Sequence, residues 1–100
     1  MEIITEKNGT EATMVLKGRL DTNAAPDMAK TVDAFLSAET EKFILDMADC
    51  DYVASSGLRV ILNAQKKMNA FGGTMVVKNV VGDVMEVFEM TGFADILVFE

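Results

Sequence analysis

The chain has no histidine and no tryptophan, one cysteine (Cys50) and one proline (Pro26) in 100 residues. Without histidine it lacks the commonest general base and metal ligand, which excludes a Ser-His-Asp hydrolase, a Cys-His protease and a histidine-bearing zinc site. A lone cysteine can form neither an intrachain disulfide nor a thiolate metal cluster. No apolar run approaches the ~20 residues that span a bilayer, and the opening MEIITEKNG lacks the basic region and apolar stretch of a secretion signal. These absences lead us to expect a cytoplasmic protein with no membrane association. Basic residues are scarce too: nine Lys and Arg stand against sixteen Asp and Glu, a net charge of −7. That is the wrong sign for generic attraction to nucleic acid or anionic lipid.

Half of the residues are hydrophobic and a quarter are charged, so the chain can bury a core. Its length fits a single domain, residues 1–100. Charge is distributed unevenly, with residues 59–78 holding four bases (Arg59, Lys66, Lys67, Lys78) and no acid.

Residues 2–6 and 12–19 are apolar runs around an Asn-Gly pair, the signal for a β-hairpin. From Thr22 or Asn23, either of which can cap a helix, Met28, Val32, Phe35 and Leu36 recur at helical spacing, with Pro26 tolerated in the first turn. KFILDM (42–47) reads as a buried strand that ends in an acidic loop. Between Gly57 and the Gly72–Gly73 stop, Leu58, Ile61, Leu62, Gln65 and Met68 share one helical face. Arg59, Asn63, Lys66 and Lys67 fall on the other. TMVVKNV (74–80) is a further strand, residues 82–92 a helix with Val84, Val87 and Phe88 inward and Gly92 at its C-terminal end, and ILVFE a last strand. The order β-β-α-β-α-β-α-β predicts an α/β fold with a mixed sheet, parallel through its crossovers and antiparallel at the hairpin.

In such sheets functional groups gather where strand ends meet helix starts, which directs attention to residues 46–59. There Ser55-Ser56-Gly57 opens a helix. Helix N-termini leave backbone N–H groups unpaired and carry positive partial charge, so a hydroxyl held exposed there can accept a phosphate, and the phosphate is stabilised. Gly57 keeps the approach uncrowded. The same pattern also fits a serine that does no more than cap the helix.

Several stretches together resemble the STAS family, the anti-sigma-factor antagonists of bacterial partner-switching systems. They are Tyr52-Val53-Ala54-Ser55-Ser56-Gly57-Leu58-Arg59-Val60-Ile61-Leu62, Lys17-Gly18-Arg19-Leu20-Asp21, Phe43-Ile44-Leu45-Asp46 and Met90-Thr91-Gly92-Phe93. The resemblance implies a STAS-like mixed sheet with helices packed on it, and a non-enzymatic switch. Its implied partner is an anti-sigma factor that is also a GHKL-type serine kinase, bound when the chain is unphosphorylated, with a phosphatase to restore the bound state. The family's acceptor position carries over to Ser56, with Ser55 as second choice, and the matching aspartate, Asp21, shapes the kinase-facing surface. Two departures stand out: Ala54 occupies a position where many antagonists have Asp, and the sequence reaches Glu100 without the further helix with which the family often ends. The alternative is a STAS-type accessory or scaffold subunit (lipid transport, stressosome or nucleotide sensing) without regulated phosphorylation.

Asp21 can equally be turn or cap chemistry, and Asp46 is expected to bond nearby backbone N–H groups. Asp49 and Asp51 do not match a calcium-loop ladder and are read as solvated; no metal and no cofactor are expected. Arg59, Asn63 and Lys66, at i, i+4 and i+7, form a basic ridge leading away from Ser56. Together with Asp21, Ser55 and Gly57 they are the expected partner-binding residues. Cys50 is expected to be inert and Tyr52 to pack with its hydroxyl exposed.

Overall fold

The structure, a computed structural model, describes residues 1–100. Strand β1 (Glu2–Asn8) and strand β2 (Glu11–Leu20) pair antiparallel from Glu2↔Lys17 to Asn8↔Glu11. Gly9, at φ +65°, makes the tight reversal between them, so the Asn-Gly signal marks the hairpin. Helix α1 (Ala25–Phe35) follows, and it buries Ala25, Met28 and Val32. Neither Thr22 nor Asn23 caps it: Ala24 is the N-cap residue, and the side chain of Asp21 closes the preceding turn instead.

Strand β3 (Lys42–Val53) is twice as long as the apolar run suggests. It pairs parallel with β2, and its register slips between Val15 and Lys17 and again between Gly18 and Arg19. Both slips place an extra residue in β3, and such bulges bend a strand and increase its twist. The stretch read as an acidic loop therefore stays in the sheet, with Asp49 and Asp51 exposed and Cys50 inward. Helix α2 (Ser55–Ala70), strand β4 (Thr74–Lys78) and helix α3 (Gly82–Met90) complete the regular elements, and β4 pairs parallel with β3.

The sheet order is β1-β2-β3-β4. The expected final strand shrinks to a single bridge between Val77 and Phe99. Gly92, at φ +80°, leads into a short 3-10 turn over Phe93–Asp95, and Ile96 stays in the helical region as its C-cap, so the extended stretch begins only after it. The segment still bonds alongside β4, with Val77 N donating to Val98 O at 2.8 Å and Glu100 N to Val77 O at 2.9 Å.

Crossovers between parallel strands are right-handed. Here they advance in one direction, from β2 to β3 to β4 to the C-terminal segment, so they place α1, α2 and α3 on the same face. The buried cluster agrees. It joins Met14, Leu16, Phe43, Leu45, Met47, Met75 and Val77 of the strands to Met28, Ile61, Met68, Val84 and Phe88 of the helices. Ile44 and Val76 are also buried but lie outside it, on the opposite face. Each large side chain sealed in the cluster stabilises the fold by about 1.5–3 kcal/mol of transfer free energy, which fixes the strand ends that carry the site.

Candidate functional site

The C-terminal ends of β2 and β3 lie side by side and turn into α1 and α2. Ala54 N donates to Leu20 O at 2.9 Å, tying the start of α2 to the end of β2. Gly57 then passes so close to Leu20 that a Cβ on it would lie 2.6 Å from Leu20 Cγ. Gly57 is thus required by this contact, and not only for open approach.

Ala54 is the N-cap of α2 and supplies no side-chain cap. The first intrahelical bond runs from Leu58 N to Ala54 O at 3.0 Å, and the backbone N–H groups of Ser55, Ser56 and Gly57 find no acceptor. Helices α1 and α3 each carry an acid in the first turn, Asp27 and Asp83 respectively, whereas α2 carries none. Its positive N-terminal partial charge is therefore uncompensated, and two hydroxyls occupy the place where an anion would sit.

Those hydroxyls differ. Ser55 is exposed, while Ser56 is half-buried and its Oγ is covered and without a hydrogen-bond partner. The expectation of an offered hydroxyl at Ser56 is thus not met in this rotamer, and neither serine is the cap. Ser56 sits in the helical first turn, where its side chain lies back over the chain. No hydrogen bond holds Ser56 inward, and an unpaired buried hydroxyl costs about 1–3 kcal/mol.

Asp21 Oδ1 accepts from the N–H groups of Asn23 and Ala24, at 3.1 and 2.9 Å, so the turn reading of this residue holds. It adjoins Leu20, which touches Gly57, and it stands at the same end of the sheet as the serines. Asp46 Oδ1 accepts from Ala48 N at 3.0 Å, across the first bulge of β3, and from Asn79 Nδ2 at 3.2 Å. Asn79 itself is left-handed, at φ +61°.

Arg59, Asn63 and Lys66 are all exposed along α2. Lys67 departs from that ridge: it turns towards α1 and pairs with Asp33 at 2.9 Å. Asn63 and Lys67 border a cleft of about 110 Å³ between the two helices, floored by Val32 and Ala64. Cys50 is fully buried; burial pushes its thiol above the ordinary cysteine range, and its sulfur contacts Tyr52 O at 3.5 Å.

Sequence reading missed Arg19, whose guanidinium lies over the Tyr52 ring at 4.1 Å. The two residues are register partners, and the bulged pairing that brings them together is not visible in either segment alone. Asn79 was also missed; an Asn after a strand was the available signal, since Asn tolerates the left-handed region.

Comparison with known proteins places this geometry in a family. The STAS domain profile matches residues 2–100, and the chain belongs to that family. BtrV of Bordetella bronchiseptica, assigned as an anti-sigma factor antagonist, is 36% identical over 72 residues. The match covers 68% of this chain and 62% of BtrV. Among solved structures, a Thermotoga maritima protein assigned to the same class superposes with TM-score 0.88 at 21% identity, covering 97% of this chain and 84% of that one. The Bacillus cell-fate determinant SpoIIAA in its phosphorylated form gives TM-score 0.76 at 16% identity, covering 99% and 91%. At these identities the structures establish the shared fold. No helix is long and apolar enough to cross a membrane.

Proposed function

We propose that the chain is an anti-sigma factor antagonist, a non-enzymatic switch that binds an anti-sigma factor serine kinase when unphosphorylated and is released by phosphorylation of Ser56. The observation that carries this reading is the N-terminus of α2: three free N–H groups, no acid in the first turn and two serines. A phosphate adds about −1.5 to −2 charge. Over this helix end it is stabilised locally, while towards a docked partner it introduces repulsion and bulk. The relatives named above as antagonists support the same reading.

Ser56 reaches the surface by rotation about χ1, since nothing bonds its hydroxyl inward and staggered side-chain wells interconvert readily. Ser55 is the alternative acceptor. The docking surface runs from Asp21 across Ser55 and Gly57 and along Arg59, Asn63 and Lys66. Opposition on that surface by an acidic patch of the kinase complements the only strongly basic stretch of an acidic chain. A phosphatase would reset the switch.

The test is incubation with ATP and the GHKL-type kinases of the same genome, with the phosphate located by mass spectrometry. Ser56→Ala should abolish incorporation and Ser55→Ala should retain it. Ser56→Asp should weaken kinase binding by about 1–3 kcal/mol, roughly 5- to 150-fold. Equal affinity for wild type, Ser56→Asp and Ser56→Ala rejects the switch and leaves the accessory or scaffold reading.

A further inference from the structure

Strand β1 is a free edge of the sheet, and it lacks the proline, the bulge and the short length by which edges are usually shielded. It runs seven residues, Glu2–Asn8, in unbroken register with β2 from Glu2↔Lys17 to Asn8↔Glu11. The hairpin decides which of its backbone groups are free. The two-residue loop Gly9-Thr10 makes Asn8 and Glu11 a hydrogen-bonded pair, so Glu2, Ile4, Glu6 and Asn8 turn their N–H and C=O groups towards β2. Thr10 O accepts from Glu41 N and Lys42 N, on the β3 side, which fits the same alternation. The N–H and C=O groups of Ile3, Thr5 and Lys7 therefore point outward, and no loop or helix bonds them. The side chains of these three lie on the helix face, where Ile3 packs against the core and Lys7 lies over the Phe35 ring of α1 at 5.2 Å.

We propose that β1 pairs antiparallel with β1 of a second copy, about a two-fold axis perpendicular to the sheet at Thr5. One sheet then runs through both copies, with both sets of helices on the same side. Backbone alternation selects this register. Thr5 faces Thr5 of the second copy, and Ile3 faces Lys7 of the second copy, so every outward N–H and C=O of Ile3, Thr5 and Lys7 finds a partner. A shift of two residues one way sets Glu2 against Glu6 of the second copy, and the other way sets Glu6 against its own copy. Facing like charges destabilise a sheet. In the proposed register Glu6 faces Ile4, and it meets its own copy only diagonally, on the exposed side where water screens it.

Charge complements the backbone. Ile3, which faces Lys7 of the second copy, lines a cleft of about 250 Å³ with Asp21, Asn23 and Asp27. Asp21 is engaged by the N–H groups of its own turn. Asp27 is exposed, and neither it nor Lys7 has an ion-pair partner within the chain. The pairing brings Lys7 of each copy to the cleft that holds Asp27 of the other, and two-fold symmetry makes the contact twice.

One strand from each copy buries less than a standard stable interface, so the dimer is weak and depends on concentration. Helix α2 lies over β3 and β4, away from this edge, which leaves Ser55, Ser56 and the α2 ridge free.

The test is sedimentation velocity from about 10 μM to about 1 mM protein, with amide exchange followed by NMR over the same range. Wild type should pass from monomer to dimer, and exchange at Ile3, Thr5 and Lys7 should slow as it does. Thr5→Pro removes an outward N–H while leaving the β2 ladder its bonds, and it should weaken the dimer about tenfold or more. Lys7→Glu and Asp27→Lys should each lose self-association, yet pair with each other when mixed one to one. A misfolded variant cannot be rescued by mixing, so recovery of the mixed dimer supports the assigned register. Wild type that stays monomeric at about 1 mM overturns the proposal. So does a dimer that leaves those three amides unprotected, one insensitive to Thr5→Pro, or charge variants that fail to pair.

Discussion

Gly57 of α2 rests directly on Leu20, the last residue of β2: a Cβ built on the glycine would come 2.6 Å from Leu20 Cγ and 3.0 Å from Leu20 O. This contact sets how closely the start of α2 approaches the turn held by Asp21. Gly57→Ala should therefore destabilise the chain by about 1–3 kcal/mol through overpacking, read as a lower urea midpoint at unchanged m-value. Leu20→Ala alone should cost about 2–5 kcal/mol as a cavity. The double variant should be more stable than the sum predicts, because each change relieves the other. Strict additivity would show that the two side chains do not share this space.

The uncompensated N-terminus of α2 leads to a second expectation, concerning stability alone. Ser55→Asp places a carboxylate by free N–H groups and should raise stability by about 0.3–1 kcal/mol at low ionic strength. About 1 M salt should erase most of the gain. Ser56→Asp should change stability by less than about 1 kcal/mol if its side chain turns outward, as phosphorylation of Ser56 requires. A loss above about 2 kcal/mol in thermal melts would mean that the inward position is obligatory and would shift the acceptor role to Ser55.

Most of the architecture was legible in local signals. The Asn8-Gly9 pair marked the hairpin, Ser55-Ser56-Gly57 opened α2 and Gly72–Gly73 stopped it, and the apolar spacing of Met28 and Val32 placed α1 on the core. The failures have tertiary causes. Asp49 and Asp51 look like loop residues, yet two extra residues in β3 keep the pairing with β2 going to Val53 and leave both acids exposed within the strand. Ile96 to Glu100 carries strand-forming residues, but Ile96 is drawn into the helical region by the turn at Gly92 and Phe93–Asp95, and only Phe99 bridges to Val77. Lys67 shares a helical face with Arg59 by periodicity; what turns it is Asp33, on another helix. The covering of the Ser56 hydroxyl, on which access at the site depends, comes from the folded surroundings of the start of α2, and no sequence period encodes it.

The ridge on α2 makes a kinetic prediction. Arg59 and Lys66 are exposed and neither has an ion-pair partner within the chain, unlike Lys67 and Lys78. Charges of this kind act on association rate more than on the lifetime of a complex. Arg59→Glu with Lys66→Glu should slow association with the proposed kinase partner by about tenfold or more at low salt. Dissociation should change little, and the difference should close as ionic strength rises. Stopped-flow or surface binding at two salt concentrations measures both rates; unchanged association would remove the ridge from the docking surface.

Cys50 supplies a pH dependence whose sign follows from its burial. Desolvation raises its thiol pKa in the folded chain, and the neighbouring Asp51 charge adds to the rise. In the unfolded chain the thiol returns to about 8.5. Below that value both states keep the proton and Cys50 contributes its full stability. As pH climbs past about 8.5 the unfolded state ionises first, and stability falls until the folded pKa is reached. Urea melts between about pH 7 and pH 10 should therefore show a decline that Cys50→Ala reduces, since alanine has no proton to lose. Under native conditions a thiol reagent should react with Cys50 only as fast as the chain opens, because the sulfur is sealed beneath the bulged end of β3. Rapid labelling of the folded protein would show that this end of β3 opens independently of the core.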